Sequence, residues 1–424
     1  MMVFLINSVI IGSLIYFLSK LKVQQELEIW YYPTLLIKVL AGLGVGLVYY
    51  YHYGYGDTIT YHEDAMRMTA LFSQNIESYV DILAGNAKGN SNFNFVDQPR
   101  AFFLVKILSI VHLITADNYW LSSVYFSLFS FLGFWLLTNT LVIHFPKKKM
   151  EIIIALLLFP SVVFWSSGII KESLALGGLT LLLMFLLDWY FTKNTSLKSI
   201  IPIALSLVLV WQLKYYYIGV FLIIAIPLIL TEWYVRRSAA GLKSHFMYAA
   251  SILTLAFIVS WLHPNFYLEN ILGVIVDNHD LYVLGSRQDQ LIQYSSLEPT
   301  LISITLNFPL AVWSGLFRIG IWESNQSVEY LVALENIVLL VLTIASLWRL
   351  HRIKIDKHAL LVFSALLYIT LLAGFLALST PNLGTLARYR VGFLPVFVLL
   401  IFINNPIIDL LKSKFVGNVE DIPE

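Results

Sequence analysis

The chain has 424 residues, 58% of them hydrophobic and only 12% charged, with a mean hydropathy of +0.77. Soluble domains are about 45–50% apolar and about 25% charged, so this composition excludes a water-soluble globular protein and describes a polytopic membrane protein. A net charge of +1 provides no concentrated basic face for nucleic acid, and the absence of cysteine excludes disulfides, thiolate catalysis and cysteine-held metals.

A bilayer-spanning helix needs about 20 mostly apolar residues, and the apolar runs predict about eleven spans in chain order. They are Val3–Ser19, Trp30–Tyr51, Tyr119–His144, Glu151–Trp165, Ile170–Phe191, Ser199–Leu213, Tyr216–Tyr234, Phe246–Leu262, Val328–Trp348, His358–Leu378 and Val391–Asp409. The first lacks a basic stretch before its apolar run and so does not read as a cleavable signal peptide. Cations cluster at alternate connections: Lys20 and Lys22; Lys147–Lys149; Lys193 and Lys198; Arg236, Arg237 and Lys243; Arg349, Arg352, Lys354 and Lys357; Lys412 and Lys414. Cationic loops are retained in the cytoplasm, so one topology satisfies every cluster, with the N-terminus outside and the C-terminus inside. The fold expected is an all-α bundle.

That topology leaves two long external segments, His52–Asn118 and His263–Ser327. Each holds an apolar stretch too short or too interrupted for a clear span: Arg100–Ala116 carries Lys106 and His112, and Thr300–Arg318 is broken by Asn307 and Pro309. Both are expected to lie as helices in the interface; the alternative is that each crosses. If only Arg100–Ala116 crossed, Lys147–Lys149 would move outside, against the charge rule. Gly85–Asn94 reads as a mobile external loop, and no period of 20–50 residues suggests a solenoid.

Polar residues near membrane depth are costly and mark functional sites by default. Three external turns carry them. Past the second span comes Gly54-Tyr55-Gly56-Asp57-Thr58-Ile59-Thr60-Tyr61-His62-Glu63-Asp64-Ala65. The glycines permit a tight exit, and Asp57 falls at a helix start, where the macrodipole favours an ionised carboxylate. It is suited to accept a proton or bind a metal; the plainer alternative is a helix cap. His62, Glu63 and Asp64 are adjacent and point in different directions, so only one or two of them share a face with Asp57. The fourth and fifth spans are joined through Pro160 and Trp165-Ser166-Ser167-Gly168 to Lys171-Glu172. Lys171 suits an anion and Glu172 a metal or a hydroxyl, although a snorkelling lysine beside a first-turn glutamate is the ordinary alternative. The last external turn is Ser379-Thr380-Pro381-Asn382-Leu383-Gly384-Thr385-Leu386-Ala387-Arg388-Tyr389-Arg390. Arg388 and Arg390 suit phosphate, which a guanidinium binds in bidentate fashion, or a lipid headgroup. Lys214, before Tyr215–Tyr217, and Arg287 and Arg318 in the second long loop are further external cations. Carboxylates that activate a hydroxyl or hold Mg2+ or Mn2+, cations that stabilise a departing phosphate, and interfacial helices for a long chain together point to group transfer from a lipid phosphate.

The order of these elements resembles the GT-C superfamily of membrane glycosyltransferases, in particular the protein-mannosyltransferase-like and aminoarabinose-transferase-like group. The resemblance rests on a span followed by Gly56-Asp57, Tyr61, His62 and Ala65, and on Pro160 and Trp165-Ser166-Ser167 followed by an acid at Glu172. It covers Trp30–Phe191. The resemblance implies a polyprenyl-phosphate-linked sugar donor, a glycan, lipid or protein acceptor, Asp57 as the key catalytic carboxylate and Glu172 as a second acid. It divides the chain into an extra span and cytoplasmic turn at 1–29, a core at 30–191 and a C-terminal region at 192–424. The pattern departs from the superfamily at Lys171-Glu172, where Asp-x-Asp or Asp-x-Glu is usual. A bacterial inner membrane with the site facing outward is the compartment expected. Two other functions fit the same residues in part. One is an O-antigen or exopolysaccharide polymerase, to which Arg388-Tyr389-Arg390 is equally suited; the other is a transporter or flippase of lipid-linked sugar, hinted at by Lys38 and Pro227.

Overall fold

The computed structural model describes residues 2–21, 24–86, 92–194, 196–235, 242–262, 267–324, 326–349, 358–403 and 405–415. Lys22, Arg236, Arg237, Arg352, Lys354 and Lys357, together with 87–91 of the Gly/Asn-rich patch, lie outside them. The described residues are helical, with no strand and one isolated bridge, between Leu291 and Asn382. In order, the helices are α1 (Met2–Ser19), α2 (Glu28–Leu47), α3 (Asp57–Gln74), α4 (Ile76–Ala84), α5 (Pro99–Thr115), α6 (Tyr119–His144), α7 (Lys149–Ile153), α8 (Pro160–Phe164) and α9 (Lys171–Thr192). There follow α10 (Ile200–Val235), α11 (Leu242–Leu262), α12 (Leu268–Gly285), α13 (Leu301–Phe317), α14 (Ser327–Arg349), α15 (Ala359–Ser379), α16 (Leu383–Tyr389), α17 (Leu394–Phe402) and α18 (Pro406–Phe415). The chain forms two compact units, Met1–Ile218 and Gly219–Glu424.

Among the described residues eight helices are long and apolar enough to cross a bilayer, or nine if the bent pair Leu383–Gly392 and Leu394–Phe402 is one span. This is the expected all-α membrane architecture, and the difference from about eleven spans arises at three places. Ser199–Leu213 and Tyr216–Tyr234 count as the single stretch Leu197–Tyr234, although it is kinked between them at Lys214, whose backbone is non-helical at φ −146° and ψ 67°. Glu151–Trp165 breaks into α7, a π-helical turn at Ile154–Leu158 and α8, since Pro160 cannot donate to the preceding turn. The last span bends by 70° just ahead of Pro395. Arg100–Ala116 and Thr300–Arg318 are helical over α5 and α13, and neither has the length of a candidate span.

In the first unit α6 is the central post. Its serines, glycine and small side chains allow α2 and α9 to approach closely. A Cβ on Gly133 of α6 would come within 2.3 Å of the Gly177 carbonyl and of Thr180 Oγ1 on α9. The aromatic cluster of Tyr31, Phe131 and Trp135 fills the space between α2 and α6. Lys38 of α2 is buried in the same interior, donating to Ser166 Oγ with its ammonium 4.5 Å from the Phe134 ring centroid. It ties α2 to the turn ahead of α9. In the second unit α13 packs on α15, and Gly315 and Gly374 provide the close approach there: a Cβ on the former would meet the Ala373 carbonyl at 2.6 Å.

Candidate active site

The first-loop helix is set by the chain leaving α2. After the π-helical turn Val48–Tyr53, Gly54 adopts φ 71° and Gly56 φ 133°, values that L side chains rarely take. A Cβ on Gly56 would also strike the Tyr49 ring at 2.6 Å. This reversal starts α3 at Asp57, in its first turn, where the unpaired amides favour a carboxylate. Asp57 and Tyr61 are one turn apart on the same face of α3, and the Lys171 ammonium lies 5.8 Å from the Tyr61 ring centroid. Lys171, from the second turn singled out in the sequence, thus approaches the helix that begins at the first of them. Asp57 and Lys171 are partly exposed, and Tyr61 is buried against Phe95.

Glu172 points the other way, inward. Its Oε1 is 2.8 Å from the Lys214 ammonium, and the two side chains are 1% and 3% exposed. The non-helical backbone at Lys214 is what brings this residue to the start of α9. Glu172 and Lys214 are thus counter-charges to one another inside the first unit. Near the same end of the chain, the Arg100 guanidinium stacks 3.9 Å from the Tyr215 ring.

A neighbouring face of α3 carries Thr58, His62 and Thr69. Thr58 Oγ1 shares a 2.7 Å hydrogen bond with the Tyr119 hydroxyl. His62 Nδ1 lies 3.2 Å from His112 Nε2, and His112 Nδ1 is 3.2 Å from Asp117 Oδ1, at ion-pair distance though without hydrogen-bond alignment. Thr69 donates to that same Asp117 oxygen at 2.7 Å. These contacts staple α3 to α5 and α6. Burial pushes the His112 imidazole down to about 3, with the neighbouring His62 adding to the effect. His62 is likewise lowered by burial, against an opposing pull from Asp117. His62 thus faces the α5 contact rather than Asp57.

Asp64 is fully buried and already engaged. It accepts from Arg67 Nη1 at 2.9 Å, from the Asn94 amide and side chain at 3.1 and 3.0 Å, and from the Phe95 amide at 3.0 Å. It fixes the loop after 91 onto α3.

In the second unit Arg390 is fully buried, donating from Nη1 to Asn336 and from Nη2 to Glu335 Oε1 at 3.0 Å. Arg318 pairs with Glu323, and Arg287 with Asp289 on the surface. Arg388 is partly exposed beside Tyr389, whose hydroxyl meets that of Tyr282 at 3.3 Å. Asn382 caps α16 through Thr385 at 2.9 Å and donates to Ser286 at 3.0 Å, so the segments after α12 and before α16 are joined.

The structure thus brings Lys171 to the ring of Tyr61, one helical turn along α3 from Asp57, pairs Glu172 with Lys214, and turns His62, Asp64 and Arg390 to contacts of their own. Among the described residues no three His, Asp or Glu side chains gather as a metal-binding group. Sequence reading passed over Arg67, His112 and Asp117. A signal existed only for Arg67, three residues after Asp64 on one helix. No family model, curated protein or solved structure matches the chain.

Proposed function

We propose that the protein is an integral-membrane glycosyltransferase of GT-C-like organisation, moving a sugar from a polyprenyl-phosphate carrier to a glycan, lipid or protein acceptor on the extracytoplasmic side. The observation that supports it is the position of the Lys171 ammonium, 5.8 Å from the ring of Tyr61, which lies one helical turn from Asp57. Displacement at an anomeric carbon calls for a carboxylate and a cation close to one another, and this reading assigns those parts to Asp57 and Lys171. Asp57 takes the proton of the acceptor hydroxyl as its oxygen attacks the anomeric carbon. The carbon–oxygen bond to the carrier phosphate breaks, its electron pair leaves with the phosphate, and Lys171 offsets the charge that develops there. The attack is in line, so the anomeric configuration inverts. The buried Glu172–Lys214 pair holds the start of α9, and hence Lys171, in place. No step is assigned to a metal ion.

The test is transfer from a polyprenyl-phosphate sugar in membranes containing Asp57→Asn. General-base assistance contributes about 100-fold or more, so the variant is expected to lose at least that factor at unchanged protein level. Full activity would exclude the assignment. A product of one added sugar supports this reading, whereas a ladder of repeats would identify a polymerase.

A further inference from the structure

Residues Arg67, Ala70, Leu71 and Gln74 follow at helical spacing and form one stripe along the C-terminal half of α3. Residues 92–94 run beside it, and between them lies an open cavity of about 560 Å3, within the size range of small-ligand sites. Its wall is made rigid by Asp64, whose buried carboxylate holds the Asn94 and Phe95 amides. Its charged group is prepositioned by the same residue. Arg67 Nη1 donates to Asp64 Oδ1 at 2.9 Å and to the Asn92 carbonyl at 3.1 Å, which uses both hydrogens of that nitrogen. Nε and Nη2 donate to no partner among the described residues, and the Arg67 side chain is 46% exposed. That edge of a guanidinium presents two parallel donors, the geometry that matches an oxyanion. The amide of Gln74 adds a neutral donor and acceptor, the complement of sugar hydroxyls, over an apolar floor of Leu71 and Phe93.

We infer that this groove binds a saccharide bearing an oxyanion, a carboxylate or a phosphate, through the Nε and Nη2 edge of Arg67. Its role as the acceptor subsite rests on the transferase reading above; binding itself does not. Asp64 is then a positioning residue, aligning Arg67 without touching the sugar.

The test is equilibrium binding to the purified full-length protein in neutral detergent, with a hexuronate tetrasaccharide, its neutral hexose counterpart and a phosphorylated hexose as probes. The hexuronate or the phosphorylated sugar is expected to bind about tenfold or more tightly than the neutral sugar, as a bidentate charged contact implies. Which of the two binds identifies the oxyanion. Arg67→Lys is expected to lose about tenfold, since an ammonium cannot make the paired contact. Because Arg67→Lys also disturbs Asp64, Ala70→Trp serves as a second variant: it fills the groove, leaves the Asp64 contacts intact, and is expected to abolish binding. Equal affinity for charged and neutral sugars, binding unchanged by Ala70→Trp, or capture of anionic phospholipid vesicles with no soluble sugar bound would each overturn the inference. Transfer activity without saccharide binding overturns this inference alone; binding without transfer removes the transferase reading and leaves the groove.

Discussion

Glu172 and Lys214 show how the role of a charged residue depends on its partner. Each is buried, and each is tolerable only because the other is 2.8 Å away. Removing one partner of such a pair leaves an uncompensated buried charge and costs about 3–5 kcal/mol, whereas replacing both by apolar groups of similar volume is often neutral. Glu172→Gln and Lys214→Met are therefore each expected to lower thermal stability in detergent sharply, and Glu172→Leu combined with Lys214→Met to recover most of it. A double-mutant cycle on the midpoint of heat-induced unfolding measures the coupling, and additive losses would mean that the pair is not coupled. The histidines make a second prediction. Folded-state values below the ordinary imidazole range mean that the unfolded chain binds more protons as pH falls below about 6.5. Stability of the first unit should therefore be full near neutrality and fall through acid pH toward about 3, where His112 titrates in the fold. The slope is about 1.4 kcal/mol per pH unit for each histidine inside the window. His112→Gln is expected to flatten that dependence in unfolding curves recorded from pH 7 to pH 4; an unchanged slope would place the acid sensitivity elsewhere.

At the level of helices, close approach and chain reversal decide what forms. The α6–α9 interface tolerates no side chain at Gly133, where even one methyl would collide with Gly177 and Thr180. Overpacking a filled interior typically costs about 1–3 kcal/mol, and more where the obstacle is backbone. Gly133→Val is expected to reduce the yield of folded protein on size-exclusion chromatography, while Gly12→Val, where nothing lies within 4 Å, is expected to leave it unchanged. Most helices were legible in the sequence, because length and apolarity suffice to define them and the cap at Asn382 is a local feature. The breaks were less legible. The apolar runs do end at Leu213 and resume at Tyr216, on either side of the kink at Lys214, but the ion pair that buries that lysine against Glu172 has no local signal. The start of α3 was readable because Gly54, Gly56 and Asp57 carry their conformational signal within four residues of chain.

For the whole molecule, the absence of cysteine turns topology into a direct measurement. Ser73 of α3 and Ser413 of α18 are exposed, and the charge distribution puts them on opposite sides of the membrane. In intact cells a membrane-impermeant maleimide is expected to label Ser73→Cys and to reach Ser413→Cys only after permeabilisation. The reverse pattern would invert the topology and remove the extracytoplasmic site. The sequence by itself determined the class of protein, the approximate places of its spans and the turns where charge collects, because hydropathy and cation bias act over contiguous residues. It also singled out Asp57 and Lys171. Only the tertiary structure decided how those charges are used. Glu172 is matched to Lys214, 42 residues on, Asp64 to the loop after residue 91, and Arg390 to Glu335, 55 residues before it. A buried charge must find its counter-charge wherever the fold brings one, and that distance in space is not written in the distance along the chain.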